Sequence, residues 1–308
     1  MKHIPVLGQE VLDLLSPMNP GVLIDGTWGR GGHARMILDC WPHCRMTVYD
    51  RDPFAIEHAR DFARDHTEYS LSVVHGCFAD MEASAASVDG ILLDVGVSSC
   101  QIDEPCRGFS FQKDGPLDMG MGLNDVNAQD LVNGASEDEL IHIFRTYGQE
   151  RFARRIARSL VRRRQSQAFT RTLDLAQCVA ESVPSYDHRI HPATRVFQAL
   201  RIVVNQELIQ LHQALHRSLS LLRVGGRGIV ITFHSLEDAL VKQFIGQHSR
   251  GAQKSYSRHD LDENSEVSNF SHQSVRNLTS KPLRARQAEI LKNPRSSSAK
   301  MRAYEKVA

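Results

Sequence analysis

The stretch Leu23-Ile24-Asp25-Gly26-Thr27-Trp28-Gly29-Arg30-Gly31-Gly32-His33 limits the fold more than any other part of the chain. A short apolar run ends in an acid, four glycines follow within seven residues, and a helix-like segment, Ala34 to Leu38, comes next. That is strand, glycine-rich loop and helix, the opening unit of a doubly wound α/β sheet. The glycines let the backbone approach a ligand closely, and the helix start offers N–H groups to it. Twenty-five residues after Asp25 a second apolar run, Met46 to Tyr49, also ends in an acid, Asp50. In such a sheet Asp50 stands at the tip of the neighbouring strand, where an acid takes ribose hydroxyls.

The loop reads G-x-x-G-x-G-G, not the dinucleotide spacing G-x-G-x-x-G. An acid directly before the glycines suits a positively charged ligand better than a pyrophosphate. Both facts favour a sulfonium nucleoside, S-adenosylmethionine, over a nicotinamide dinucleotide.

The alternation continues with strands expected at 45–50, 69–74 and 88–93, the last ending in Asp94, and helices near 33–40 and 53–64. Asp25, Asp50, Phe78 and Asp94 then line one crevice at the strand ends. After Asp94 the pattern stops. Residues 95–123 are rich in Gly, Ser, Pro and Asp, and four segments between 128 and 183 carry helical spacing with no strand between them. The expected organisation is a sheet domain begun by 1–104, an inserted all-helical domain at 105–190, and a second sheet part at 191–308. In that second part we expect a long helix over 194–222, a strand at 228–233 and a helix to about 247. A mobile loop is expected at 249–275, followed by two extended pieces, 277–283 and 301–307, that pair antiparallel at the sheet edge.

With 308 residues and a net charge of +1, the chain has no global pull toward nucleic acid, so any basic surface must come from segregated charge. Two places supply it. Between Arg151 and Arg171 stand eight arginines and no acid, with Arg151, Arg155, Arg158 and Arg162 on one helical stripe. From Gln273 to Ala308 there are nine Lys/Arg against two Glu, among them Arg295 and Lys300. Both read as phosphate-contacting surfaces for RNA or DNA. The six cysteines form no C-x-x-C pair, and Cys40, His43 and Cys44 do not complete a zinc set, so reduced thiols and no metal are expected. The start of the chain lacks a signal-peptide core and no stretch approaches the ~20 apolar residues of a membrane span, which leads us to expect a cytoplasmic protein with no membrane partner.

Several strings now carry a resemblance. Asp25 to His33, Asp94-Val-Gly-Val-Ser-Ser-Cys-Gln-Ile-Asp103, Arg107-Gly-Phe-Ser-Phe111 and Gly115-Pro-Leu-Asp-Met119 are four of them. His191-Pro-Ala-Thr-Arg195, Phe197 to Ile202, Val204-Asn205, Phe233-His-Ser-Leu-Glu-Asp238 and Asn293-Pro-Arg295 complete the set. Together they resemble the bacterial small-subunit rRNA cytosine-N4 methyltransferases, the RsmH (MraW) family. The resemblance implies a Class I (Rossmann-like) S-adenosylmethionine-dependent methyltransferase sheet with an inserted helical domain that helps hold RNA. It implies a cytidine of the 16S rRNA decoding centre, in the small ribosomal subunit, as methyl acceptor, and it is compatible with a homodimer. The family's cofactor contacts fall on Gly31, Gly32, His33, Asp50, Phe78, Asp94 and Gln101. Where the family has Leu-Asp-Met-Arg-Met, this chain has Leu117-Asp118-Met119-Gly120-Met121. Gln149 and Val95 are further departures.

Cytosine N4 is a poor nucleophile, because its lone pair is spread into the ring, so a hydrogen-bond acceptor on the amine helps it to react. The Asp/Asn-Pro-Pro-Tyr/Phe signature of amino-methyltransferases is absent after Asp94. We therefore expect Phe109 or Phe111 to stack on the flipped base and Asp94 or Asp118 to receive the N4 hydrogen bond. The alternative for both phenylalanines is core of the inserted domain. Asn205 and His234 are expected to line the crevice, with helix capping the alternative for His234. An oxidoreductase on the same sheet, a DNA amino-methyltransferase and a non-catalytic RNA-binding factor are the competing classes.

Overall fold

The computed structural model describes residues 5–84, 86–123, 126–184, 191–249 and 273–308. The chain divides into two compact units, one of Met1–Asp50, Phe54–Val95 and Gln210–Ala308, the other of Arg51–Pro53 and Gly96–Ile209.

The first unit opens with helix α1 (Gly8–Leu15) and then alternates β1 (Val22–Asp25), α2 (Gly32–Cys40), β2 (Arg45–Asp50), α3 (Pro53–Asp65), β3 (Ser70–His75) and β4 (Val88–Asp94). Strand positions of opposite parity feed opposite sides of the sheet. Leu23, Met46, Val48, Leu92, Ile229 and Ile231 join one core. Ile24, Tyr49, Ile91, Leu93 and Val230 join the other. Burial on both faces explains the near-continuous apolar runs of the parallel strands.

The second unit contains α4 (Ser99–Asp103), α5 (Ala128–Gly134), α6 (Glu137–Thr146), α7 (Ala153–Arg164), α8 (Thr172–Ser182) and α9 (Ala193–Val204). Capping boxes set three of these starts: Ser98 with Gln101, Asn127 with Asp130, and Ser136 with Glu139. Phe144, Ile156, Leu160, Phe169, Val179, Val196 and Leu200 belong to its core.

The long helix expected over 194–222 is in fact two, α9 and α10 (Glu207–Leu221). The break falls at Asn205-Gln206, where Gln206 has φ 51. The apolar face of α9 packs into the helical unit, which is why that unit spans 96–209 rather than the expected 105–190.

The sheet then resumes with β5 (Leu222–Thr232) and α11 (Ser235–Ser249), and ends with β6 (Val275–Asn277), α12 (Gln287–Lys292) and β7 (Lys300–Lys306). Its order is β3-β2-β1-β4-β5-β7-β6. The first five strands run parallel, β7 is antiparallel to β5, and β6 is antiparallel to β7. Chain order reverses at the β1/β4 pair, the switch point where such sheets bind ligands. Helix α12, between the two tail strands, carried no sequence expectation. Of the mobile loop expected at 249–275, residues 250–272 lie outside the described residues; Ser249 ends α11 and Val275 begins β6.

Candidate cofactor and substrate site

The glycine-rich loop leaves β1 through Asp25 and enters α2 at Gly32. Gly31 is the residue before the helix, with φ 68, and a Cβ on it would stand 2.4 Å from the Trp28 ring. Only glycine meets both demands without strain. Trp28 is buried under the loop, and its indole N–H donates to His58 Nδ1 at 3.2 Å. Beside Gly29 the loop is open: a Cβ there would find no atom within 4 Å. The Gly29 N–H donates to Asp50 Oδ2 at 2.8 Å, so the acid at the tip of β2 also shapes the loop. Phe78 starts a 3-10 turn past β3 and is half-buried against the sheet core.

Acids converge at the switch point. The Asp94 backbone N–H donates to the Thr27 hydroxyl at 2.7 Å, and Asp25 Oδ1 accepts from the Thr27 N–H at 3.0 Å. Burial, reinforced by the charges of Asp94 and Asp50, pushes Asp25 up to about 8. Burial, reinforced by the charge of Glu237, pushes Asp94 up to about 7. Asp94 Oδ1 is buried and accepts no hydrogen bond from the described residues. Oδ2 lies 3.6 Å from His33 Nδ1. His33 Nε2 is 2.8 Å from the Val6 carbonyl, which can only accept, so Nε2 carries the proton. Burial holds this ring down to about 4, so it is neutral and its bare Nδ1 faces the acid. A pocket of acids with no cationic side chain bonded to Asp25 or Asp94 among the described residues suits a positively charged ligand.

His234 sits at the start of α11. Its Nδ1 accepts from the Glu237 N–H at 3.4 Å, while Glu237 Oε2 accepts from the Phe233 and His234 N–H groups at 2.8 and 3.2 Å. This reciprocal cap is the alternative role foreseen for His234. Glu237 itself was missed; its place three residues after the cap position is the acidic half of a capping box, here with His234 where Ser or Thr is usual.

The remaining expected residues belong to the second unit. Gln101 is buried within its capping box, and its Nε2 donates to Asp52 Oδ2 at 2.7 Å. Phe109 is 9% exposed and belongs to the helical core, so its ring is committed to packing. Phe111 is half-buried, 4.8 Å by ring centroid from both His191 and Phe197. Asn205 is fully buried rather than lining a crevice: Nδ2 donates to the Met119 carbonyl at 2.8 Å and Oδ1 accepts from the Met121 N–H at 3.1 Å. Asp118 is exposed and accepts from the Gly120 N–H at 2.6 Å. Gly108, with φ 72, lets the backbone pass where a Cβ would lie 2.3 Å from the Pro116 carbonyl oxygen.

On α7, Arg155, Arg158 and Arg162 are exposed, with Ile156 and Leu160 buried beneath them. Arg151 precedes the helix and stacks its guanidinium 4.6 Å from the Phe152 ring centroid. Arg163, not singled out, pairs with Asp174 at 2.9 Å. The tail is less available than its composition suggests. Lys300 and Arg302 both bind Asp238, at 3.1 and 2.7 Å, and Arg276 pairs with Glu305. Lys300 therefore serves the fold, joining β7 to α11, whereas Arg295 is exposed in a 3-10 turn. No helix of the described residues is long and apolar enough to cross a membrane.

The sheet order and the open glycine loop define a doubly wound α/β fold with its ligand crevice at the switch point, and the acids there suit a cationic ligand. The chain belongs to the MraW methylase family, whose model matches residues 1–307, and it is a methyltransferase. It is 44% identical over 312 residues to the ribosomal RNA small subunit methyltransferase H of Afipia carboxidovorans, covering 100% of this chain and 91% of that protein. It is 46% identical over 313 residues to the protein of the same name from Rhodospirillum rubrum, covering 99% of this chain and 94% of that protein.

Proposed function

We propose that the protein transfers a methyl group from S-adenosylmethionine to the N4 amine of a cytidine in the decoding centre of 16S rRNA, within the small ribosomal subunit. The observation that carries this reading is Asp94: a half-buried acid at the switch point whose buried Oδ1 has no partner among the described residues, next to Asp25 and an open glycine loop. The relatives' shared name supports rRNA as the acceptor.

S-adenosylmethionine, when bound, supplies an electrophilic methyl group on a sulfonium. Gly31, Gly32 and the loop before them shape the bed; Asp50 takes the ribose hydroxyls; Phe78 offers an apolar wall. Asp25 and Asp94 face the positive charge, which favours their ionised forms. Transfer of that methyl group to N4 would leave the thioether product and an amine with one proton in excess, which a residue of this chain must take. Asp94, pushed up to about 7 in the free protein and ionised beside the cation, is available to accept that proton near neutral pH. The bare Nδ1 of the neutral His33 ring, 3.6 Å from Asp94 Oδ2, favours the protonated form of that acid once the proton has arrived. Phe111 retains the role of stacking platform, and Phe109 supports the loop from the core. Asp118 remains an exposed acceptor on the same loop. Arg151, Arg155, Arg158, Arg162 and Arg295 hold RNA phosphates.

Calorimetric titration separates this reading from the oxidoreductase alternative. S-adenosylmethionine and its thioether product should bind, NAD should not, and Asp50→Ala should weaken the nucleoside affinity. Saturable NAD binding with no binding of either methyl-cycle nucleoside contradicts it.

A further inference from the structure

We infer that Asp52 is a positioning residue that ties cofactor recognition at Asp50 to the order of loop 98–123, so that cofactor and RNA strengthen each other's binding. This rests on the reading of Asp50 as the ribose acid and of that loop as the acceptor side. Residues joining a strand to a helix are ordinarily solvated. Here the pair directly after Asp50 is buried, with Arg51 8% and Asp52 3% exposed. Arg51 to Pro53 cluster with the helical unit although their chain neighbours on both sides belong to the sheet.

The bonds explain why. Asp52 Oδ2 accepts from Gln101 Nε2 at 2.7 Å and from an Arg107 guanidinium nitrogen at 2.8 Å. The same nitrogen donates to the Gly120 carbonyl at 3.1 Å. Arg51 donates to the Leu123 carbonyl at 3.0 Å and to the Asn205 carbonyl at 2.7 Å. Asn205 holds Met119 and Met121. Met119, Gly120, Met121 and Leu123 are therefore each fixed through a backbone group, by a network that begins one peptide bond after Asp50. A buried ion pair is weak support for stability but a good register device. Any shift of Asp50 on engaging a ligand is passed to its covalent neighbours and so to the loop. By linkage, ordering that the cofactor provides is ordering the RNA need not supply, and the reverse holds equally.

The test uses the full chain, S-adenosylhomocysteine as probe, and small ribosomal subunits as RNA ligand. In the wild type, the probe should slow amide exchange across 98–123 and tighten subunit binding by about fivefold or more. In Asp52→Asn the probe should still bind, while exchange across 98–123 no longer responds and the coupling ratio falls to about one. Wild-type protection of α7 and α8 certifies that the variant is folded. Should Asp52→Asn lose it, Arg107→Lys, which keeps the charge but loses the fork, reads the same coupling and should lower the ratio. If the probe binds and either variant keeps the wild-type ratio while folded, the proposal is overturned. If the probe does not bind the wild type, the cofactor reading itself has failed.

Discussion

Asp94 brings three properties to one carboxyl group: an oxygen with no partner among the described residues, a pKa of about 7, and a neutral histidine as neighbour. A base must be ionised to work, so kcat/KM of the wild type, which reports the groups of the free protein, should rise with pH through about 7. Asp94→Asn should lose about 10²–10⁴-fold in kcat together with that limb. A variant of near wild-type rate with the limb intact would remove Asp94 from the proton step.

Asp25 makes a stability prediction. Its folded pKa, about 8, lies above the ordinary 3.8, so the folded protein binds the extra proton between those values. Stability is therefore lost as pH rises toward 8, at ~1.4 kcal/mol per pH unit for each such group. Asp94 acts in the same direction up to about 7, whereas His33, lowered from 6.5 to about 4, opposes both only below 6.5. The clean window is therefore pH 6.5 to 8. Urea unfolding of Asp25→Asn should show a flatter decline there than wild type, and parallel declines would refute the assignment.

At the scale of elements, α7 and the tail separate two kinds of basic residue that composition alone merges. Arg155 and Arg158 stand exposed over a buried apolar face, Arg158 in an exposed pair with Glu137 at 3.6 Å, whereas Lys300 is half-buried in its pair with Asp238. Arg155→Glu with Arg158→Glu should weaken RNA binding and reduce its logarithmic salt slope by about 2. Lys300→Gln should leave that slope unchanged and lower the unfolding midpoint. Equal effects of both on the slope would contradict the distinction.

The junction of β1 and α2 turns on Gly31. Gly31→Ala should cost roughly 1–3 kcal/mol, from its positive φ and the clash with Trp28; unfolding at the wild-type denaturant midpoint would contradict that. These junctions also show what the sequence makes legible. Apolar runs ending in Asp25, Asp50 and Asp94 locate the switch point, because strand period and terminal acids are local signals. The α9–α10 break is not local. Asn205 is only a weak stop signal within 194–222; in the fold its side chain is bonded to Met119 and Met121, far away in the chain. Phe109, Asn205 and Lys300 look like site residues in sequence and are core, clamp and ion pair in the fold, because burial and partners are three-dimensional facts. Asp52 was overlooked for the same reason: its partners, Gln101 and Arg107, stand 49 and 55 residues further along the chain.

For the whole molecule, the proposed function gives the sulfonium nucleoside to the sheet unit and RNA phosphates to the arginines of the helical unit, and it turns on one atom, the N4 of cytidine. The most direct measurement is transfer of labelled methyl from S-adenosylmethionine to small ribosomal subunits from cells lacking this protein, followed by mass spectrometry of the nucleosides. The account predicts label in N4-methylated cytidine of 16S rRNA. Label in another nucleoside, or none from a protein shown to bind the cofactor, would contradict it.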